Sequence, residues 1–251
     1  MVSYLYDGTF DGFLSCLHDC FILKVAQPCK IYTKNSQEVD LFSKDVIVEN
    51  SDDKCRWITK LIREQISPVC LDNVTYAFHS EARGVEMLIY NYILLGLKVG
   101  RGVDNCLDNC LNDGVVRQVQ ALAHKVNYEI HRLKGFVRFE ESADGVFYAK
   151  IQPKYNILTF LSTHFQRRFC NQLWVIHDIS RGHAIIYNRQ CVSFINLEAC
   201  GSVICENEKF YQDLWRTYFN ALSIEERKNP ELQRHFVPLR YRKDITEFID
   251  N

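Results

Sequence analysis

The sequence predicts an α+β protein in which a mostly helical N-terminal lobe packs on an antiparallel-sheet lobe of order ββαβββ with a basic helical C-terminal tail. Three observations predict this architecture. Apolar residues recur at helical spacing through most of residues 1–133, whereas the pattern alternates with a period of two from residue 134 onwards. Residues 232–243 then carry four positive charges and no acid. We therefore expect two domains, at 1–133 and 134–251.

Local patterns predict each element of the N-terminal lobe. Alternation of apolar residues predicts the first strand, and Thr9 suits the N-cap of the helix that follows it. Pro28 and Pro68 are expected to end the first and second helices, because proline interrupts the helical hydrogen bonds. The predicted elements are a strand at 2–6, a helix at 9–25, short extended pieces within a loop at 30–50, and helices at 51–66, 76–97 (with a break near Gly84) and 115–133.

The second lobe is predicted to begin with a β-hairpin. Two alternating segments flank Ser142-Ala143-Asp144-Gly145, which is a favourable turn sequence. Longer apolar and aromatic segments follow as one helix, three strands and a final helix. In order, the predicted elements are strands at 135–140 and 146–151, a helix at 157–169, strands at 173–178, 183–188 and 191–195, and a helix at 210–222.

Composition limits the function classes. The formal net charge of the chain is −1, but residues 1–130 hold 13 Lys and Arg against 17 acids, whereas residues 131–251 hold 17 against 14. The N-terminus has neither the basic nor the apolar region of a signal peptide. The apolar run at 87–99 is too short and too polar to cross a bilayer. Free thiols are expected for the 11 cysteines, and we expect a cytoplasmic bacterial protein that does not contact membranes.

Two cysteine pairs are the candidate metal ligands. Cys16 and Cys20, with His18 between them, and Cys106 and Cys110 each have the i, i+4 spacing that places two thiols on one helix face. A buried core stripe has the same spacing, and no third and fourth ligands follow in a fixed pattern. We therefore predict core packing, no metal and no cofactor. The sequence also lacks a P-loop, a Gly-x-Gly-x-x-Gly run and a nucleophile elbow.

Arginine and aromatic residues carry the strongest functional signal. Guanidinium groups bind phosphate with two hydrogen bonds and stack on flat rings. If the arginines converge, they form a groove for a phosphodiester backbone, with Tyr241 or Trp215 offering a stacking face for a base. If they scatter, they are ordinary surface charges. The predicted nucleic-acid-binding residues are Arg138, Arg167, Arg168, Arg216, Arg240, Tyr241 and Arg242.

Five motifs along the chain resemble those of one bacterial family. They are residues 6–14 (YDGTFDGFL), 131–139 (HRLKGFVRF), 215–219 (WRTYF), 226–230 (ERKNP) and 237–241 (VPLRY). The family is described as DNA metabolism or DNA repair proteins, and its shared region is domain of unknown function 4130. The matched polar positions are Asp7, His131, Arg132, Arg138, Arg168, Arg216, Asn229, Arg240 and Tyr241.

The resemblance implies a partner rather than a set of catalytic residues. Members are similar to partners of a radical S-adenosylmethionine (radical SAM) protein encoded beside them, and the pair is associated with repair or modification of DNA. In some relatives a similar domain is fused to a uracil-DNA glycosylase-like domain. One position departs from the pattern. Relatives usually carry Trp after the Arg-Tyr pair, whereas this chain has Arg242.

Three functional hypotheses follow. The first is a DNA-binding accessory protein in DNA repair or modification, acting with a radical SAM partner. The second is an enzyme that acts on a damaged base or nucleotide in a cleft between the lobes, where Asp7, His131 and Arg132 would lie. The third is a protein-interaction module without DNA contact, whose basic tail meets an acidic partner.

Overall fold

The computed structural model describes residues 2–22, 30–33, 44–99, 114–198, 205 and 207–249. It confirms the α+β class, with a largely helical N-terminal region and a five-stranded sheet in the C-terminal region. The chain divides into two compact units, Met1–Asn127 and Tyr128–Asn251. This division lies inside one long helix, six residues before the boundary that the change of periodicity suggests. No helix of the described residues is long and apolar enough to cross a membrane.

The N-terminal unit combines helices with a small parallel sheet. β1 is its central strand and pairs with β2 on one side and β3 on the other, so the extended pieces expected within a loop are strands of one sheet. Parallel pairing of β1 with β2 requires a crossover, and α1 provides it. The elements are β1 (Val2–Tyr6), α1 (Phe10–Ile22), β2 (Lys30–Thr33), β3 (Lys44–Ile47), α2 (Asp52–Leu61), a π-helical turn (Ile62–Ile66), α3 (Pro68–Phe78) and α4 (Val85–Val99).

Pro68 starts a helix instead of only ending one. It stands in the first turn of α3, where its missing N–H costs nothing, and the Ser67 hydroxyl accepts a hydrogen bond from Cys70 N at 3.0 Å. The single helix expected at 76–97 is two helices, because α3 ends at Phe78 and α4 begins at Val85. The expected break near Gly84 is confirmed, and Gly84 has a positive φ of 72° there.

Aromatic side chains form the centre of the N-terminal core. Phe13 on α1 stacks on Phe78 of α3 with ring centroids 5.1 Å apart, and Tyr6 of β1 packs on Phe13 at 5.8 Å. The buried apolar side chains of α1 that form this core are those of Phe13, Leu14, Cys16, Leu17 and Cys20. The thiol pair is therefore part of the packing, as the i, i+4 spacing predicts.

The C-terminal unit is built on a mixed sheet of order β4-β5-β6-β7-β8. A long helix, whose residues up to Asn127 belong to the N-terminal unit, leads into it, and short helices end it. The elements are α5 (Gly114–Phe136), β4 (Glu140–Glu141), β5 (Phe147–Ile151), α6 (Leu158–Arg168), β6 (Trp174–Asp178), β7 (His183–Tyr187), β8 (Val192–Asn196), α7 (Glu208–Leu222), a 3-10 turn (Glu225–Arg227), α8 (Pro230–Phe236), α9 (Leu239–Arg242) and a second 3-10 turn (Thr246–Phe248).

Two details of the predicted sheet are wrong. β5 and β6 pair in parallel, because α6 carries the chain back across the sheet between them. The strand expected at 135–140 is reduced to Glu140–Glu141, since α5 continues to Phe136 and Val137 N still bonds to Leu133 O at 3.1 Å. The helical hydrogen bonds therefore run past Gly135, where the alternating pattern suggested a strand.

The basic tail packs on its own unit. Tyr241 and Ile245 are buried, and the Tyr241 ring lies 5.6 Å from that of Phe136 at the end of α5. Lys243 donates a hydrogen bond to Gln152, just after β5. The tail is thus part of the folded unit, and its charges are held at defined places.

Substitution of two helical glycines by alanine is expected to change the free energy of unfolding in different ways. A Cβ at Gly96 of α4 would lie 2.9 Å from two carbons of the Ile66 side chain, whereas nothing lies within 4 Å of a Cβ at Gly135 of α5. We expect Gly96→Ala to lower the free energy of unfolding by about 1–3 kcal/mol through overpacking. Gly135→Ala should leave it unchanged or raise it by up to about 1 kcal/mol through helix propensity. Urea denaturation followed by circular dichroism measures both, and equal effects would contradict the described packing.

Candidate functional site

The predicted basic residues divide into four groups in the C-terminal unit. Arg138 and Arg216 lie with Trp215 around the second 3-10 turn, and Arg240 lies with Tyr241 beside α5. Arg242 lines a groove at the end of the chain. Arg167 and Arg168 stand at the C-terminus of α6. The arginines of the different groups have different partners, and each group has its own chemistry.

Glu247 is the centre of the first group. Arg138 binds its carboxylate with two nitrogens, Nη2 at 2.7 Å and Nε at 3.3 Å, and Trp215 Nε1 donates to the same carboxylate at 3.0 Å. Arg216 Nε donates to the carbonyl oxygen of Thr246 at 3.2 Å, and its Nη1 lies 3.0 Å from Asp213. Sequence analysis places Arg138, Trp215 and Arg216 in one interface, and the structure brings them together, but with their charges paired internally.

The pairing changes the acidity of Glu247. Burial alone would raise the pKa of its carboxyl group, but hydrogen bonds from Arg138 and Trp215 and the charge of Arg138 outweigh that effect. The pKa therefore lies below its ordinary value. The Glu247 side chain is only 7% exposed, so its negative charge is balanced by Arg138 and is not presented to solvent.

Glu129 is the centre of the second group. This residue of α5 is 2% exposed and accepts hydrogen bonds from the backbone N–H groups of Lys154 and Tyr155 at 3.0 and 2.9 Å. Arg240 Nη2 lies 2.9 Å from the carboxylate, and the Tyr241 hydroxyl donates to it. Burial and the hydrogen bond to Glu129 raise the pKa of Tyr241.

Tyr241 is therefore a residue of the protein interior. Its ring is 3% exposed and lies 4.5 Å below the Arg240 guanidinium, so in this conformation no base has access to it. Trp215, the alternative stacking residue, is 40% exposed. Of the two rings proposed for stacking, that of Trp215 is accessible and that of Tyr241 is not.

Arg242 belongs to a groove of about 710 Å³ formed by the end of α7, α8 and both 3-10 turns. Its guanidinium stacks 4.6 Å from the Phe248 ring and donates to Val237 O at 3.1 Å and Gln233 Oε1 at 3.4 Å. Two further cations, Arg227 and Lys228, line the same groove. Phe219, Leu222, Ile224, Leu232, Phe236 and Phe248 form its apolar lining.

The local sequence explains why these cations reach the rim. The Asn229 side chain accepts a hydrogen bond from Leu232 N at 3.0 Å, and Pro230 takes the first position of α8. The chain must therefore turn immediately after Arg227 and Lys228, which places both at the mouth of the groove. These two residues were missed as site residues by sequence analysis, although their motif, Arg-Lys-Asn-Pro, contains the signal.

Arg167 and Arg168 are exposed and have no carboxylate partner among the residues that the structure describes. The Arg168 guanidinium lies 5.8 Å from the Phe169 ring. Burial lowers the pKa of nearby His164, and the charges of Lys134 and Arg168 lower it further. This end of α6 is consequently a positive surface, separate from the groove.

The candidate catalytic residues have structural contacts in their own units. In the N-terminal unit, Asp7 Oδ1 accepts hydrogen bonds from Thr9 N at 2.9 Å and Thr9 Oγ1 at 2.7 Å at the start of α1. In the C-terminal unit, Arg132 donates to Tyr128 OH at 2.9 Å and to His235 O at 2.8 Å, and His131 is exposed. The cleft that would join them stays a prediction.

Cys16 and Cys20 are buried in the N-terminal core. A hydrogen bond with Cys20 and burial raise the pKa of the Cys16 thiol. Among the described residues no group of three or more potential metal ligands occurs. Cys106 and Cys110 lie outside the described residues.

Comparison with known proteins identifies one family. The family model of a domain of unknown function, DUF4130, matches residues 83–247, which include α4, α5 and nearly all of the C-terminal unit. Both carboxylate centres and all lining residues of the groove except Phe248 lie within this match. No curated protein and no solved structure matches the chain.

The lowered pKa of Glu247 predicts a pH-dependent contribution to stability. Because the folded-state pKa lies below the ordinary value of 4.5, the contribution is full above that pH and is lost as the pH falls through the folded-state value. We expect Glu247→Gln to lower the free energy of unfolding by about 2 kcal/mol at neutral pH, and this difference from the parent should shrink on acidification. Urea denaturation from about pH 7 to about pH 3 measures it.

Glu231→Gln is the matched control, because Glu231 is an exposed residue of α8. It should differ little from the parent at any pH. A Glu247→Gln difference that stays constant or grows as the pH falls would contradict the assigned ion pair.

Proposed function

The chain belongs to the DUF4130 family, and we propose that its C-terminal unit binds DNA as the accessory, non-catalytic part of a DNA repair or modification system. One observation carries the proposal. The groove at the end of the chain has three cations on its walls, Arg227, Lys228 and Arg242, and one carboxylate, that of Glu247. Arg138 already balances that carboxylate. The groove is therefore electropositive, as binding to a phosphodiester backbone requires.

The lining of the groove supports contacts to bases as well as phosphates. Phe236 and Leu232 are more than half exposed at its side, and the Arg242 guanidinium lies over the Phe248 ring. Exposed rings and flat guanidinium groups accept unpaired bases by stacking, whatever the sequence. Because the bases of a duplex are already stacked on each other, this lining favours a single-stranded segment.

Arg242 contributes both a stacking surface and a positive charge to the proposed DNA site. Relatives resembling this chain usually have Trp at that position, and a guanidinium keeps a flat stacking surface while adding a positive charge. Its hydrogen bonds to Val237 and Gln233 orient it along the groove. The substitution thus exchanges part of the stacking surface for a phosphate contact.

We assign the chemistry to the radical SAM partner that the family resemblance implies. The alternative, an enzyme using Asp7, His131 and Arg132, is less well supported. Asp7 is occupied at the N-terminus of α1, and the Arg132 guanidinium is bonded to Tyr128 and His235. These hydrogen bonds give Asp7 and Arg132 structural roles that require no catalytic function.

A binding titration with single-stranded DNA tests the proposal. The double substitution Arg227→Gln with Lys228→Gln should weaken binding at every DNA sequence. It should also reduce the slope of log affinity against log salt by about 0.7 for each phosphate contact removed. Fluorescence anisotropy with a labelled oligonucleotide at several salt concentrations measures both, and duplex DNA of the same sequence should bind more weakly.

The control removes the same two charges elsewhere. Arg56 and Lys60 are exposed on α2 of the N-terminal unit, so Arg56→Gln with Lys60→Gln should leave both affinity and slope nearly unchanged. Equal losses in the two double variants would show that only the net charge matters. An unchanged slope in the Arg227/Lys228 variant would exclude the groove as the DNA site.

A further inference from the structure

A second cavity in the C-terminal unit has the opposite electrostatic character. It holds about 580 Å³ between α7, the sheet edge at β4 and β5, and Thr246. Phe139, Phe147, Tyr211 and Trp215 form its aromatic walls, and its polar lining comes from Arg138, Glu141, Glu208 and Gln212. We call it the aromatic pocket. It is separate from the basic groove, with which it shares no lining residue.

The one guanidinium in the aromatic pocket is already occupied. Arg138 binds Glu247 with two nitrogens, and its Nη1 donates to the carbonyl oxygens of Gly135 at 2.7 Å and Val137 at 3.3 Å. Its charge is neutralised by Glu247 and most of its donors are used. A phosphate or carboxylate ligand would therefore find no available cation among the lining residues.

Hydrogen-bond acceptors dominate the rest of the polar lining. Glu208 accepts from Glu141 N at 3.0 Å and from Gln212 Nε2 at 3.1 Å, and each carboxylate oxygen keeps a further lone pair. The Glu141 carboxylate and the Gln212 carbonyl oxygen accept no hydrogen bond from the described residues. The pocket therefore offers two negative groups and an amide oxygen to a ligand that is positively charged and rich in donors.

The aromatic walls favour the same ligand. A cation over the face of Trp or Tyr is attracted by the ring electrons, by about 0.5–2 kcal/mol. The Trp215 ring is held in place through its N–H bond to Glu247, and the Arg138 guanidinium already lies 6.0 Å from its centre. Aromatic walls combined with unpaired carboxylates are the usual composition of sites for guanidinium and alkylammonium groups.

The surface beside the aromatic pocket indicates where such a group comes from. Phe210, Leu214, Tyr218 and Leu222 follow one another at intervals of four along α7, and each is more than half exposed. A free small cation would fill the pocket and leave this apolar stripe in water. A polypeptide segment that carries both apolar side chains and an arginine would cover the stripe and fill the pocket together.

We infer that α7 and the aromatic pocket form a docking site for a basic, apolar segment of a partner protein, with an arginine of that partner inserted between Trp215 and Glu141. The aromatic pocket lies outside the DNA-binding groove, whereas Leu222, the last residue of the apolar stripe, also lines that groove. We therefore expect the protein to bind DNA and its protein partner through two surfaces of opposite charge.

Nuclear magnetic resonance of the full chain tests the pocket with N-acetyl-arginine amide as the probe. The chain has three tryptophans, and Trp215→Phe identifies the indole signal of Trp215. We expect saturable shifts of that signal with the arginine derivative and none with the citrulline derivative, which has the same shape without the charge. Glu141→Gln should weaken the binding about tenfold, through loss of a charged hydrogen bond. Glu231→Gln, on α8, should not weaken it.

The unperturbed signals of Trp57 and Trp174 report that the variants remain folded. Equal shifts with citrulline, no saturable shift with arginine, or an unchanged affinity in Glu141→Gln would each overturn the cation site. A shift with guanosine monophosphate in place of arginine would overturn it in favour of a nucleobase pocket.

A second experiment tests whether the arginine belongs to a polypeptide that also covers the apolar stripe. An amphipathic peptide of leucine and arginine should bind at least about tenfold more tightly than the arginine derivative, because it also buries the apolar stripe. Leu214→Ser should remove that gain and leave the affinity for the arginine derivative unchanged. Equal affinities of peptide and derivative for the parent protein would overturn the docking part of the inference.

Discussion

Two buried carboxylates, Glu129 and Glu247, hold the C-terminal unit together. A charge that leaves water must be paired, and removal of its partner is much more costly than removal of a surface ion pair. Glu129 is paired with Arg240 across 111 positions of the sequence, and Glu247 with Arg138 across 109. Each pair joins the last residues of the chain to α5 or to the segment just after it, so the tail is bound to the rest of its unit.

This constraint decides which arginines remain for function. Arg138 and Arg240 are needed inside the fold, and the ring of Tyr241 is buried beside one of them. The cations on the rim of the groove, Arg227 and Arg242, are not paired with these two carboxylates and lie where a chain of phosphates has access. Some arginines of a basic motif can thus stabilise the fold while others remain available to a ligand. The positions of the buried acids determine which arginines do which.

The same pairing gives the unit two surfaces of different character. Because Arg138 is neutralised by Glu247, the carboxylates of Glu141 and Glu208 dominate the aromatic pocket. The groove lies on the other side of Glu247 and is lined by the cations Arg227, Lys228 and Arg242. One ion pair therefore lies between the electropositive groove that we propose as the DNA site and the acidic aromatic pocket that we infer to bind a basic polypeptide.

The sequence alone determined the types of most elements, the α+β class and the family, because periodicity, caps and short motifs are local properties of a chain. The break at Gly84 and the final helices were readable in this way. The sequence analysis was wrong about Pro68, because proline suits the first turn of a helix as well as the position after its end. It was also wrong about the strand at 135–140, because the helical hydrogen bonds of α5 continue past Gly135. Only the tertiary structure decided which cations are available, since the acids that neutralise Arg138 and Arg240 lie more than a hundred residues away.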